Sequence, residues 1–312
     1  MDKLARKCPA AFVLAAAVLW GSIGLFVRGL DTFGFTSMEI VLMRCAITAV
    51  VLFFYGCAAN RSIFRIRFRD IWCFLGTGIL SILFFNYCYV ASIARTSMAI
   101  AAVLLYTAPC FVIILSAFLF KEKITAKKSV SLVLAFLGCV CVSGAVGNME
   151  GFGFWGFLLG IGSGIGYALY SIFGKYALMR GYSSITITFY TFLIAALGSI
   201  PFVSLGKLAG KIGRYPQSMA FFAGLAVFVT VVAYIAYTLG LNHMENGRAS
   251  IIACVEPAMA TVLGMLVYRE KLDIFSFVGL LLVVGSTVLV NVNWQARRIA
   301  PAGGNKESVR EI

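Results

Sequence analysis

The strongest constraint on this chain is that it carries one pattern twice. The stretch from Tyr89 to Lys123 contains Tyr106-Thr107-Ala108-Pro109 and closes on Lys121-Glu122-Lys123. It recurs without a gap as Tyr237 to Lys271, with Val255-Glu256-Pro257 and Arg269-Glu270-Lys271. Pro109 and Pro257 fix the offset (257 − 109 = 148), and the same spacing joins Tyr89 to Tyr237, Ala101 to Ala249, Leu115 to Leu263 and Glu122 to Glu270. Register kept over such a length implies a tandem duplication, so the chain is expected to build two similar units.

The units belong in a bilayer. With 61% hydrophobic and only 12% charged residues, the 312-residue chain has too little polar surface to cover a soluble globule. Its apolar residues fall into ten runs, near 9–29, 36–58, 71–93, 98–120, 129–147, 153–175, 184–205, 218–241, 249–268 and 274–293. Each is near the roughly 20 residues that a transmembrane helix needs. Helices satisfy their own backbone groups where no water is present, whereas a β-barrel would show polar and apolar positions alternating. Lys3, Arg6 and Lys7 before the first run have the look of a signal peptide, but the run continues past Trp20 to Phe26 without a clear cleavage signal and reads as a retained helix.

The expected fold is therefore an all-α integral membrane protein with ten transmembrane helices. Residues 1–148 form the first five-helix repeat, 149–293 the second, and 294–312 a cytoplasmic tail that reads as disordered and is too short for a catalytic module. Five is an odd number, so the second repeat enters the membrane inverted relative to the first. The basic residues set the orientation: Lys3, Arg6, Lys7, Arg61, Arg65, Arg67, Arg69, Lys121, Lys123, Lys127 and Lys128 fall on the side of the N-terminus, against Arg28 and Arg95 on the other. By the positive-inside rule both termini are cytoplasmic, and the cell membrane is the expected location. The bias is weaker in the second half, where Lys207, Lys211, Arg214, Arg269 and Lys271 fall outside.

Much of the net charge of +14 follows from this bias, and the Arg61 to Arg69 cluster is expected against anionic lipid headgroups. Nucleic-acid binding is disfavoured, because the charges are divided among short loops with no accompanying domain. The nine cysteines are scattered and His243 is the sole histidine, so no disulfide framework, metal site or cofactor is expected.

Val255-Glu256-Pro257 and Arg269-Glu270-Lys271-Leu272, supported by Arg44 in the second run and Trp20-Gly21 in the first, resemble the EamA-type members of the drug/metabolite transporter superfamily. The resemblance extends from about Ala11 to Asn293. It implies a ten-helix bundle with cytoplasmic termini, a central cavity lined by helices 1, 3, 4, 6, 8 and 9, peripheral helices 5 and 10, and alternating access. Substrate identity does not follow from it.

The residues agree with such a bundle. Pro109 and Pro257 remove a backbone donor in mid-helix, which kinks the helix and frees a carbonyl, either for packing or toward a cavity. Gly160 with Gly164, and Gly162 with Gly166, allow close helix approach or a hinge. An unpaired charge at the bilayer centre costs about 3 kcal/mol or more, which singles out Glu256 and Arg44. Glu256, whose counterpart at the repeat spacing is Ala108, is read either as a proton or substrate-amine site or as an acceptor that braces the broken helix. Arg44 is read as a partner for a substrate anion or for Glu39, or as snorkelling outward, Lys175 as a snorkelling cation with a substrate role as the alternative, and Glu122 and Glu270 as interfacial ion pairs. Trp20, Asn86, Tyr87, Tyr106, Tyr167, Tyr170, Ser171 and Tyr234 complete the candidate cavity.

These features point to a secondary transporter, not an enzyme, exporting a small organic metabolite such as an amino acid. Drugs, nucleosides and sugars are the alternative substrates, protons a candidate coupling ion and a homodimer an open assembly. The competing readings are an intramembrane enzyme and a non-transporting scaffold. Ile161-Gly162-Ser163-Gly164 lacks the glycine of a serine nucleophile turn, and no phosphate-binding loop is present.

Overall fold

The computed structural model describes residues 2–143, 153–269 and 274–292. The long helices, in chain order, are α1 (Pro9–Asp31), α2 (Ser37–Ala58), α3 (Phe68–Ile93), α4 (Met98–Leu105 continuing as Ala108–Phe120), α5 (Ala126–Val142), α6 (Phe154–Met179), α7 (Ser184–Phe202), α8 (Ser218–Asn242), α9 (Asn246–Tyr268) and α10 (Ile274–Asn291). Among the described residues, nine of these are long and apolar enough to cross a membrane. The exception is α5, with 17 residues; the end of its apolar run lies outside the described residues, as do Glu270, Lys271, Leu272 and the tail 294–312.

Hydroxyl residues set where several helices begin. The Thr36 side chain accepts from the Glu39 amide while Glu39 accepts from the Thr36 amide at 2.7 Å, a reciprocal cap that starts α2. Ser97, Thr125 and Ser183 cap the starts of α4, α5 and α7 in the same sense, each leaving one fewer orphan amide. Lys121 and Arg269, at the ends of α4 and α9, take left-handed backbones with φ of 55° and 56°. Such a backbone is unfavourable for a non-glycine residue, and it occurs at two positions joined by the spacing seen in the sequence. The first pieces of α4 and α9, Met98–Leu105 and Asn246–Ala253, keep that spacing at both ends.

The helices pack in groups. α6 lies on α3 and α4, α1 lies on α8 and α9, and α2 pairs with α7. α5 packs chiefly on α10, where a Cβ at Gly138 would stand 2.9 Å from the Gly279 carbonyl oxygen. Glycine is needed at this crossing because the two backbones nearly touch. The groups α3/α4/α6 and α1/α8/α9 meet along a seam made by α6 with α8 and α9 and by α4 with α9.

Candidate functional site: an aromatic pocket on the seam

Two kinds of irregularity shape the helices around the seam. α4 breaks at Tyr106-Thr107 and α9 at Cys254, each just before a proline that has no amide to continue the ladder. Thr107 Oγ1 donates to the Leu104 carbonyl at 2.6 Å, which satisfies an acceptor at the break. Neighbouring helices close on these breaks through glycine: a Cβ at Gly164 of α6 would stand 2.7 Å from Thr107 Oγ1, and one at Gly21 of α1 would stand 2.8 Å from the Glu256 carbonyl oxygen. The second irregularity is a π-helical stretch in α3, Gly76–Leu83, and another in α8, Leu225–Val232. Widened turns re-aim side chains and often mark functional positions. Thr230 Oγ1 donates to the Leu225 carbonyl, and Thr48 Oγ1 of α2 donates to the Ala226 carbonyl at 3.4 Å, so hydroxyls satisfy acceptors in the α8 stretch.

Between the groups lies a pocket lined by Trp20, Ser81, Phe85, Tyr167, Tyr170 and Tyr234, with Ile82, Ser171 and Tyr237. Trp20 packs against Tyr234 and Tyr237 with ring centroids 5.1 Å apart in each case, and Tyr170 meets Tyr234 edge-on at 5.0 Å. These rings reduce the open space to about 10 Å³, room for one water at most. In this conformation the centre is closed.

Hydrogen bonds cross the seam in sequence along α6. Tyr167 donates to Glu256 Oε2 at 3.1 Å, Tyr170 pairs with Thr238 at 3.1 Å, and Ser171 pairs with Tyr237 at 2.7 Å. One turn further, Lys175 donates to the Leu241 and Met244 carbonyls at 2.8 and 3.1 Å. The snorkelling expected of Lys175 is thus corrected: its ammonium closes the end of α8, where the last carbonyls lack amide partners. Glu122 makes the complementary contact by accepting from the Asn246 and Gly247 amides at the start of α9. Lys128 then bridges Glu122 and Glu245 at 3.6 and 2.9 Å. A cavity of about 780 Å³, lined by Phe120, Glu122, Lys175, Tyr176 and His243 among others, lies at this end of the seam.

Arg44 is the second correction. Glu39 pairs with Lys211 at 2.7 Å and caps α2, so it is not the partner of Arg44. The Arg44 side chain is 7% exposed, and its Nε and Nη2 find no acceptor among the described residues. Trp20 Nε1 is likewise buried without an acceptor there. The Arg44 guanidinium is within electrostatic range of both Glu256 and Tyr234. A buried donor without an acceptor is costly, about 1–3 kcal/mol and more for a charged group, so this arrangement suits an anion.

The structure brings together Trp20, Tyr167, Tyr170, Ser171 and Tyr234 on the pocket and sets Glu256 against Tyr167. Tyr106 lies at the α4 break within range of Glu256, and Pro109 and Pro257 are buried just beyond the two breaks. Asn86 turns back to donate to the Ile82 carbonyl at 2.7 Å. Tyr87 is placed elsewhere: it is 49% exposed and faces Phe202 on the outer surface. Ser81, Phe85 and Tyr237 line the pocket without having been singled out in the sequence, although Tyr237 is the repeat partner of Tyr89 and lies one turn from Tyr234. Among the described residues no cluster of His, Cys, Asp and Glu is arranged to hold a metal ion.

The model of the EamA-like transporter family matches residues 9–144 and again 154–292. An uncharacterized transporter of Archaeoglobus fulgidus is 28% identical over 90% of this chain and 94% of its own length. The uncharacterized transporter YxxF of Bacillus subtilis is 26% identical over 94% of this chain and 92% of its own. A solved crystal structure superimposes with a TM-score of 0.75 over 94% of this chain and 99% of its own, at 16% identity, a likeness of fold alone.

Proposed function

Because the chain belongs to the EamA-like transporter family, we propose that this multi-pass membrane protein is a secondary transporter that exports a small metabolite of the amino-acid class. It has ten spans, arranged as inverted units 1–148 and 149–293 with both termini in the cytoplasm of a cell, and works by alternating access across the seam. The carrying observation is the buried Arg44, without an acceptor among the described residues, within range of Glu256 beside an aromatic pocket. Arg44 and Trp20 Nε1 would receive a carboxylate, Glu256 an amine, and the Trp20 and tyrosine rings the substrate's apolar part. The closed centre and the cavity at one end of the seam fit an occluded stage of such a cycle. Glu256 also exchanges a proton in this reading, and release of Tyr167 from Glu256 couples occupancy to movement of α6 against α9.

Metabolite profiling of cells and medium tests the reading. Expression of the wild-type chain is expected to move compounds bearing both an amine and a carboxylate into the medium, and Arg44→Ala is expected to stop that movement at equal protein level. Compounds without a carboxylate moving equally with both proteins, or no redistribution at all, would overturn it.

A further inference from the structure

Away from the seam, the loop between α2 and α3 and the turn between α6 and α7 enclose a cavity of about 390 Å³. Its wall carries Arg65, Arg67 and Arg180 with Ser62, Ser183 and Thr186, whose hydroxyls bond to Asn60 and to each other. Among the described residues no acidic side chain is on that wall. Asp70 lies behind it, buried, and is already engaged by Arg180 and by the Tyr182 hydroxyl at 2.8 Å. Arg65 and Arg67 form no ion pair among the described residues and present their side chains at the exposed rim.

The frame is fixed by contacts between the loop and the turn. Tyr182 accepts from the Arg67 amide at 2.9 Å, and Tyr190 donates to the Phe64 carbonyl at 2.9 Å. Burial first, and then the Asp70 carboxylate, raise the Tyr182 phenol above its ordinary pKa, so it remains protonated and donates. Arg180 also lies over the Trp72 ring at 5.5 Å, which holds its guanidinium in place. The first amides of α7, past its Ser183 cap, add their dipole to the same wall.

We infer that this cavity is a binding site for a phosphate group, carried by the headgroup of an acidic phospholipid or free in solution. Guanidinium forks match phosphate oxygens in pairs, and a basic pocket between transmembrane helices is suited to lipid phosphates. The lipid source is favoured by the neighbours of the arginines: Phe68 is 86% exposed and Met179 68% exposed, apolar surface next to the charged rim. The inference is independent of what the seam transports.

The test uses the purified, delipidated full chain in detergent, with thermal midpoint read against added phosphatidylglycerol, phosphatidylcholine and inorganic phosphate. Phosphatidylglycerol is expected to raise the midpoint, and Arg65→Gln with Arg67→Gln to weaken the apparent affinity about ten-fold or more. The control removes the same charge from the same loop outside the cavity: Arg61→Gln with Arg69→Gln is expected to retain the shift. If inorganic phosphate gives the same variant-dependent shift and phosphatidylglycerol adds nothing, the site stands with a soluble ligand. Equal loss in the two double variants, or loss in neither, would overturn it as unspecific charge. Arg65→Lys with Arg67→Lys serves if the glutamine variant fails to fold; it keeps the charge without the fork, so weaker binding supports the site and unchanged binding overturns it.

Discussion

At the scale of single residues, Arg44 and Glu256 carry the chemistry, and they do so by different means. Arg44 has donors to offer, so Arg44→Lys, which keeps the charge but loses the planar fork, is expected to raise KM for a carboxylate substrate about ten-fold with the fold intact. Transport kinetics in vesicles, with a substrate ester as reference, would read this; an equal change for acid and ester would remove the anion role. Glu256 is expected to bear the proton. Glu256→Gln should abolish the dependence of flux on a pH gradient while substrate binding stays measurable, and a surviving dependence with less folded protein would leave Glu256 as a brace for the broken helix. Both residues were legible in the sequence because an ionisable group in an apolar run is expensive. Ser81 and Tyr237 were not, since a serine or tyrosine in such a run is as often packing as lining. The partner of Glu39 was misread for a related reason: Glu39 and Arg44 share a helix, but the segment Leu205–Arg214 that holds Lys211 is far away in sequence.

Among elements, the decisive contrast is between the two ends of the seam. At one end Lys175, Glu122, Lys128 and Glu245 tie α6 and α4 to α8 and α9. Counted along the repeat spacing, Lys175 corresponds to Val27 and Glu245 to Ser97, so the same polar tie is not encoded at the equivalent positions. Lys175→Met is therefore expected to loosen this end. Loss of the charged donor should destabilise the fold by about 1–3 kcal/mol and speed amide exchange in residues 241–247. Unchanged exchange there would mean that Lys175 contributes no closure. Ser171→Trp probes the step next to the pocket: it should stop flux, and the overpacking should lower stability by about 1–3 kcal/mol without unfolding the chain. Normal flux with that variant would place the path away from α6. The helix breaks at the prolines were legible from Pro109 and Pro257, whereas the π-helical stretches were not, because Gly76–Leu83 has the composition of any apolar helix and its widened turns depend on what packs against it.

For the molecule as a whole, apolar content and the recurring pattern made the membrane class and the family readable, while the short α5 leaves nine spanning helices among the described residues in place of the ten expected. Orientation is a proposal with a direct check: a cysteine at Ser62 should react only from the cytoplasmic face and one at Lys207 only from the opposite face. Both on one face would remove the inverted arrangement, and the reverse pattern would keep it but place both termini outside the cytoplasm. Alternating access makes the further demand that one buried position see both sides in turn. Ser81 is such a position, 1% exposed and on the pocket wall. With the nine native cysteines replaced, Ser81→Cys would be exposed to a membrane-impermeant thiol reagent in sealed vesicles of each orientation. The account predicts labelling in both orientations, slowed from both faces by saturating substrate; labelling in one orientation alone, whatever the substrate, would contradict it.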